Sequence, residues 1–230
     1  MPDPITTSPD FQFSVPFANV ATFLKHFLHD VRNELNSVNL EATLLGILVT
    51  DAEAAESVQR IQDTLHQSAS RMASLSAKLS EPSPSFDTVP ASFLLSGWKD
   101  DWQTGPNGVS MKWHPSRVDA MVRVDVVHLN DVLRELTANL RKHGTLDAEA
   151  CLEGDGDHVC YRLTEAKTAP VTPERWGALP FEFARKGSQG LGLWRARRLV
   201  AKNHGEWTQR YDAGARTLVT EVTLPVAGGK

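Results

Sequence analysis

The sequence predicts an α+β protein of two domains, in which an antiparallel helical hairpin precedes an α/β sandwich. Early in the chain, apolar residues recur at alternating steps of four and three, which is typical of packed helices. After residue 86 the pattern changes to short apolar runs that alternate with helical stretches. We expect a disordered tail over residues 1–16, the hairpin over 17–81 and the second domain over 86–226, with a stiff Pro-Ser linker at 81–85.

The composition excludes several classes of protein. The chain has 230 residues, of which 41% are hydrophobic and 23% charged, ordinary values for a folded globular protein. Its net charge of −4 gives no general attraction to nucleic acid or anionic lipid. No apolar run approaches the roughly 20 residues that span a bilayer, and the N-terminus lacks the basic and apolar regions of a signal peptide. We expect a cytoplasmic protein without membrane insertion, whose two cysteines, Cys151 and Cys160, are reduced thiols.

The first heptad pattern predicts a long helix that ends near residue 49. Its apolar positions are Leu24, Leu28, Val31, Leu35, Val38, Ala42, Leu45 and Val49. The pattern stops at Thr50, and Thr50 with Glu53 fits a capping box that begins a new helix.

A second heptad pattern predicts the partner helix. Its positions are Val58, Ile61, Leu65, Ser68, Met72, Leu75 and Leu79. Two long helices joined by a few residues lie antiparallel. One hairpin cannot bury both apolar seams well, and each fully buried Leu or Val contributes roughly 1.5–3 kcal/mol. We therefore expect a homodimer that forms a four-helix bundle; the alternative is a hairpin that folds back on its own second domain.

The second domain is predicted to contain a mixed sheet with helices on one face. Turn residues punctuate the chain at 154–157 and 212–214 and indicate two hairpins. We predict strands at 108–113, 120–124, 148–153, 158–164, 206–211 and 217–224, and helices at 126–142 and 190–203.

A histidine lies beside the first heptad seam. Leu28 faces the core, so His29 lies on the flank toward solvent, with Asp30 adjacent and Asn33 one turn later. A carboxylate can hold one imidazole nitrogen protonated and leave the other as a nucleophile. The spacing also fits an ordinary pair of surface side chains.

A second polar cluster lies on the predicted helix at 126–142 and just beyond it. Glu135 and Asn139 share a face with Lys142 or His143. A carboxylate, a neutral oxygen and cationic groups along one stripe suit a phosphate held through Mg²⁺, which takes hard oxygen ligands from few side chains. An ordinary amphipathic helix has the same pattern.

A glycine-rich segment, 187–193, opens the predicted helix at 190–203. Gly187, Gly190 and Gly192 let backbone N–H groups approach an anion, and the helix N-terminus favours negative charge. No Lys-Ser or Lys-Thr follows, so the segment is not a Walker A loop.

The three clusters together, in this order, resemble the catalytic core of two-component histidine kinases over residues 17–225. The run 29–33 is similar to the family's phosphoacceptor box, although Glu34 stands where a proline is frequent. The run 135–143 resembles the N box, Glu-x-x-x-Asn-x-x-Lys-His, and 187–193 resembles the G2 box.

The resemblance implies a dimeric hairpin joined to an α/β sandwich of the histidine kinase ATPase type, with ATP and Mg²⁺ as ligands. It implies His29 as the phosphorylated residue, Asp30 as its acid–base partner and Asn33 as an aid to phosphoryl transfer. Asn139 would bind Mg²⁺. Glu135 and Lys142 would lie near the phosphates, and the backbone at Gly190 and Gly192 would cover them. The remaining residues expected to bind the cofactor are His143, Glu165 and Gly187.

The segment 164–169 departs from the family pattern. The family shows Asp-x-Gly-x-Gly here, and its Asp reads the adenine amine. This chain has Glu165 in the place of the Asp and lacks both glycines. If those positions require positive φ, a side chain costs roughly 1–2 kcal/mol at each, so we expect the loop to follow another path.

Three functions remain open at the level of sequence. The first is a soluble histidine kinase that transfers phosphate from ATP to His29 and then to the aspartate of a response-regulator receiver domain. The second is a histidine phosphotransferase with a degenerate ATP domain, which relays phosphate between receiver domains. The third is a binding module that sequesters a receiver or sensor partner without catalysis.

Overall fold

A computed structural model describes residues 16–105, 109–144, 147–184 and 189–228. The chain divides into two compact units, and the boundary along the chain falls between Ser80 and Glu81. The tail expected over residues 1–16 lies outside the described residues except for Pro16.

The first unit is a pair of long helices. Helix α1 covers Phe17–Leu48 and α2 covers Ala52–Leu79, and the two pack along their length. The cap of α2 is Asp51, whose carboxylate accepts from Ala54 N–H at 2.9 Å. The prediction of Thr50 as the cap was therefore wrong by one residue, because the helix begins at Ala52 and the residue directly before it accepts the free N–H groups.

The apolar face of α1 is wider than the contact with α2. Leu28 and Ala42 are buried within the seam, yet Val38 and Leu45 are about half exposed. Further apolar side chains of α1 also face solvent in the isolated chain: Phe23, Phe27, Leu40, Leu44, Ile47 and Leu48. The hairpin thus presents a second, uncovered apolar surface.

The second unit contains a mixed five-stranded sheet and a separate two-stranded sheet. Its elements are β1 (Asp87–Pro90), α3 (Ala91–Gln103), β2 (Met111–Trp113), β3 (Met121–Val124), α4 (Val126–His143), β4 (Ala148–Gly154), β5 (His158–Ala166), α5 (Gly192–Lys202), β6 (Glu206–Asp212) and β7 (Thr217–Pro225). The five strands lie in the order β2-β4-β5-β7-β6, and only the β2–β4 pair is parallel. β1 and β3 pair antiparallel. The predicted α/β sandwich with a mixed sheet is confirmed.

The core lies between the sheet and the helices. Alternate residues of β4 and β5 are buried with the inner faces of α3, α4 and α5. Neither β1 nor α3 was predicted from the sequence. Helix α3 is short and carries Gly97 near its centre, but its Trp98 is fully buried and donates from Nε1 to Thr137 Oγ1 at 2.9 Å. Tertiary packing stabilises this helix more than its local sequence does.

A buried polar link holds the start of α4 against the end of α5. Asp125 caps α4 by accepting from His128 N–H at 2.9 Å, and it also accepts from Ser85 N–H at 2.7 Å. Its own N–H donates to Asn203 Oδ1 at 2.6 Å. Burial alone would raise the pKa of Asp125, but these two donors outweigh it and the pKa is lowered. The link fixes the two helices that line the site described next.

Candidate functional site

The first candidate site is the exposed histidine of α1. His29 Nδ1 lies 3.3 Å from Asp30 Oδ1 and 3.4 Å from Asn33 Nδ2. The His29 and Asp30 side chains are 71% and 73% exposed. When Nδ1 of His29 carries the proton it donates to Asp30, and when it is unprotonated it accepts from Asn33. When Asp30 holds the proton on Nδ1, the lone pair is on Nε2.

The second candidate site is a cavity of about 660 Å³ in the second unit. That volume suits a nucleotide-sized ligand. Six of the residues expected to bind a nucleotide line it: Glu135, Asn139, His143, Glu165, Gly190 and Gly192. Lys142 is exposed and is not among the lining residues. Gly187 lies outside the described residues.

Helix α4 supplies the polar wall of the cavity. Asn139 Nδ2 donates to both the backbone carbonyl and Oε1 of Glu135, each at 2.9 Å. These two hydrogen bonds use the amide nitrogen of Asn139 within α4, so its amide oxygen is the atom that can bind a cation. In the described residues no three His, Cys, Asp or Glu side chains gather as a metal site. The Asn139 amide oxygen and the Glu135 carboxylate are hard oxygen atoms of the kind that Mg²⁺ takes as ligands.

The start of α5 supplies a backbone wall. Gly190 has φ of +65°, and a Cβ atom there would lie 2.7 Å from the backbone nitrogen of Ala184. Both observations require glycine at this position. The first residue of α5 is Gly192, so the start of this helix borders the cavity, and the helix dipole favours negative charge there.

The sheet supplies the opposite wall, with a buried ion pair. Glu165, near the end of β5, accepts from Lys167 Nζ at 2.7 Å, and the two side chains are only 11% and 12% exposed. Lys167 stands where the family pattern has its first glycine. Neither Lys167 nor Ala169 has positive φ, so neither needs the backbone freedom of glycine.

Apolar and aromatic side chains complete the cavity. Trp176 and Phe183 line it from the segment between β5 and α5, together with Val171, Leu136, Leu193 and Leu218. Gln209 lines it too; its Nε2 donates to Thr220 Oγ1 at 3.1 Å, whereas its buried Oε1 has no partner in the described residues. Sequence reasoning missed Lys167, Trp176, Gln209 and Thr220. Of these, only Lys167 carried a signal, because it replaces a glycine in a recognised pattern.

The hairpin and the α/β domain together have the fold of histidine kinase catalytic cores. Full-length ShkA in complex with AMPPNP is 18% identical with a TM-score of 0.64, and the match covers 90% of this chain and 46% of ShkA. The mycobacterial sensor histidine kinase MprB is 16% identical with a TM-score of 0.52, over 62% of this chain and 98% of that one. The catalytic domain of the histidine kinase ThkA is 15% identical with a TM-score of 0.53, over 61% and 95%.

These likenesses, all below 20% sequence identity, establish the fold alone. No protein-family model matches the chain, and no curated protein matches it. Among the described helices, none is long and apolar enough to cross a membrane.

Proposed function

We propose that this chain is a phosphorelay signalling protein that carries a phosphoryl group on His29. The observation that carries the proposal is the contact of His29 Nδ1 with Asp30 on an exposed helix face. A proton held on Nδ1 leaves the Nε2 lone pair accessible to a phosphoryl donor, which is the arrangement that a phosphoacceptor histidine requires.

The side chains around His29 have separate roles in the proposed reaction. Nε2 forms the N–P bond while the bond from phosphorus to its leaving oxygen breaks, and the leaving group keeps that electron pair. The Asp30 carboxylate stabilises the positive charge that develops on the ring. In the second step a carboxylate oxygen of a receiver-domain aspartate forms the new bond to phosphorus, and the N–P electron pair returns to His29. Asn33, one turn along, positions the transferred group.

The cavity is the proposed site of the phosphoryl donor, a nucleoside triphosphate; the resemblance implies ATP. Asn139 and Glu135 would hold Mg²⁺, and the backbone at Gly190 and Gly192 would receive phosphate oxygens. The cation would neutralise charge on those oxygens. The cavity volume, the orientation of the Asn139 amide and the nucleotide analogue bound to ShkA support this assignment.

A second candidate function has its own supporting observation. The Glu165–Lys167 ion pair and the missing glycines change the wall that the family uses for adenine. A histidine phosphotransferase would not need that wall, since His29 would then take its phosphate from one receiver aspartate and pass it to another.

The proposed partners are a second copy of the chain and a response-regulator receiver domain. The uncovered apolar face of α1 is the surface that a four-helix bundle would bury. The proposed location is the cytoplasm, where receiver domains act.

The deciding experiment offers two phosphoryl donors to the purified chain. One is γ-labelled nucleoside triphosphate with Mg²⁺, with ATP and GTP in separate reactions; the other is a labelled phosphorylated receiver domain. The variants are His29→Ala, Asn139→Ala and, as a matched control, His26→Ala, an exposed histidine on the same helix.

Each outcome of this experiment selects one function. Acid-labile label from a nucleotide that requires both His29 and Asn139 supports the kinase. Label from the receiver that requires His29 but not Asn139 supports the phosphotransferase. If neither donor labels the wild type, and His29→Ala binds a receiver as tightly as wild type does, the chain is a non-catalytic binding module and the proposal is wrong.

A further inference from the structure

Glu165 and Lys167 form an ion pair on the sheet wall of the cavity, and both residues line that cavity. Glu165 Oε2 accepts from Lys167 Nζ at 2.7 Å, and both side chains are nearly nine-tenths buried. One residue separates the two, and alternate residues of an extended chain point to the same side. The pair therefore forms locally, at the end of β5.

The backbone on both sides of the pair is held by neighbouring segments. Within the sheet, Glu165 lies opposite Ala148 of β4 and Leu218 of β7. The N–H of Lys167 donates to the carbonyl of Arg216 at 2.9 Å. The ion pair is therefore a fixed feature of the cavity wall.

The carboxylate of Glu165 already has a cationic partner. In the resemblance to histidine kinases, Glu165 stands where the family's Asp reads the adenine amine, and a charged acceptor strengthens such a hydrogen bond. The Lys167 ammonium neutralises that charge and takes a hydrogen-bonding position at Oε2. An amine that approaches the same carboxylate turns its positive hydrogens toward the ammonium, which repels them. Lys167 and the amine of a bound adenine thus compete for one acceptor.

We infer that Lys167 is an internal competitor that lowers the affinity of the cavity for an adenine nucleotide. The nucleotide binds fully only when the ion pair opens, and its apparent affinity falls with the fraction of chains in that state. The contact restrains the route from ATP to His29 and leaves the route from a receiver aspartate untouched. The inference rests on the proposed function in that it treats the cavity as the nucleotide site; it does not depend on phosphorylation of His29.

The test measures the affinity of the full chain for two diphosphates by calorimetry with Mg²⁺. ADP carries the exocyclic amine, whereas purine riboside diphosphate has a hydrogen in its place and is otherwise identical. Lys167→Met removes the ammonium and keeps a side chain of similar length. We expect this variant to bind ADP about tenfold more tightly than the wild type does, the effect of one charge-assisted hydrogen bond. Its affinity for purine riboside diphosphate is expected to stay at the wild-type value, because that base has no amine.

Further variants assign the gain to the pair. Lys112→Met is the matched control, because Lys112 is 66% exposed in a surface ion pair with Glu149, and it is expected to leave both affinities unchanged. Lys167→Met combined with Glu165→Gln lacks the carboxylate and is expected to lose the gain for ADP. Removal of one partner from a buried ion pair is destabilising, so thermal melting is measured for each variant. If Lys167→Met does not fold, Lys167→Gly takes its place, since it lets water reach the Glu165 carboxylate.

Three results overturn the inference: a folded Lys167 variant that binds ADP no more tightly than the wild type, an equal gain for both diphosphates, or no binding of either diphosphate by any folded chain. Phosphorylation of His29 by a phosphorylated receiver is measured on the same wild-type protein. If that transfer succeeds while ADP affinity does not respond to Lys167, the competition is wrong and the phosphorelay role stands. If the affinity responds but His29 accepts phosphate from no donor, the reverse holds.

Discussion

Gly192 packs so closely against Glu135 that a Cβ atom at position 192 would overlap the Glu135 carboxylate. The same carboxylate accepts the amide of Asn139 at 2.9 Å. The glycine at the start of α5 and the polar face of α4 are thus one assembly, although they lie far apart in the sequence.

Replacement of Gly192 is predicted to disrupt this assembly. In Gly192→Ala the methyl group displaces the Glu135 carboxylate, so Asn139 Nδ2 loses its hydrogen bond to Oε1 and keeps only the one to the Glu135 backbone carbonyl. We expect nucleotide affinity to fall about tenfold, the effect of one lost charge-assisted hydrogen bond. Calorimetry measures it, and Gly214→Ala is the control, because a Cβ atom there lies 3.4 Å from its nearest neighbour, Asp212 Oδ1. Equal affinities in the two variants would contradict the assignment.

Alanine substitutions at two further glycines, Gly190 and Gly97, are predicted to change the free energy of unfolding in opposite directions. Gly190→Ala forces a side chain into positive φ and against the Ala184 backbone, so we expect a loss of about 1–2 kcal/mol or more. Gly97→Ala lies inside α3, where its Cβ atom would be 3.8 Å from Asn130 Oδ1. Alanine favours the helix, so we expect a gain of up to about 1 kcal/mol. Urea unfolding measures both, and a stabilising Gly190→Ala would show that the turn is not strained.

Asp30 is predicted to control the reactivity of His29. Asp30→Asn removes the charge that stabilises the developing imidazolium, and we expect phosphorylation of His29 to slow by about 10²-fold or more. Initial rates with either donor measure the change. Glu34→Gln is the matched control, because it removes an exposed carboxylate from the same helix. A normal rate in Asp30→Asn would exclude Asp30 as the partner.

Asp125 is predicted to make the free energy of unfolding depend on pH in the acid range. Its pKa in the folded chain is lowered below the ordinary value of 3.8, since donors from Ser85 and His128 outweigh the effect of burial. Ionised Asp125 therefore stabilises the fold above pH 3.8, and this contribution is lost as the pH falls through the lower, folded pKa.

The comparison of wild type with Asp125→Ala tests this assignment. We expect the variant to lose about 1–2 kcal/mol at neutral pH, as for other helix caps. The difference between the two proteins should shrink as the pH drops below about 4. Urea unfolding at a series of pH values measures it. A difference that is constant down to pH 2 would show that the charge on Asp125 contributes nothing.

The uncovered apolar face of α1 is predicted to form the dimer. Leu44 and Leu48 are 48% and 76% exposed in the single chain. A charge at either position would be buried in a four-helix bundle, so Leu44→Lys and Leu48→Lys should shift the chain toward monomer. Sedimentation measures the oligomeric state, with Gln103→Lys, an exposed position at the end of α3, as the control. A wild-type chain that is monomeric at all concentrations would contradict the bundle.

Local patterns were enough for most of the fold. The heptad spacing predicted α1 and α2, because one helix face repeats within a few residues along the chain. Alternation and turn residues predicted six of the seven strands found in the described residues, and both α4 and α5, to within a few residues. Helix α3 was not predicted, because the contact that stabilises it is distant in sequence. Its Trp98 is buried and donates a hydrogen bond to Thr137 of α4.

The sequence by itself determined the order of the elements, the exposed His29–Asp30–Asn33 turn and the face of α4 that carries Asn139. Each of these is set by contacts within one or two helical turns. Only the tertiary structure decided that Gly192 meets Glu135 and that Lys167 lies in the cavity, paired with Glu165. Those contacts depend on the packing of α4 against α5 and on the path of the chain between β5 and β7, where residues distant in sequence share one buried space.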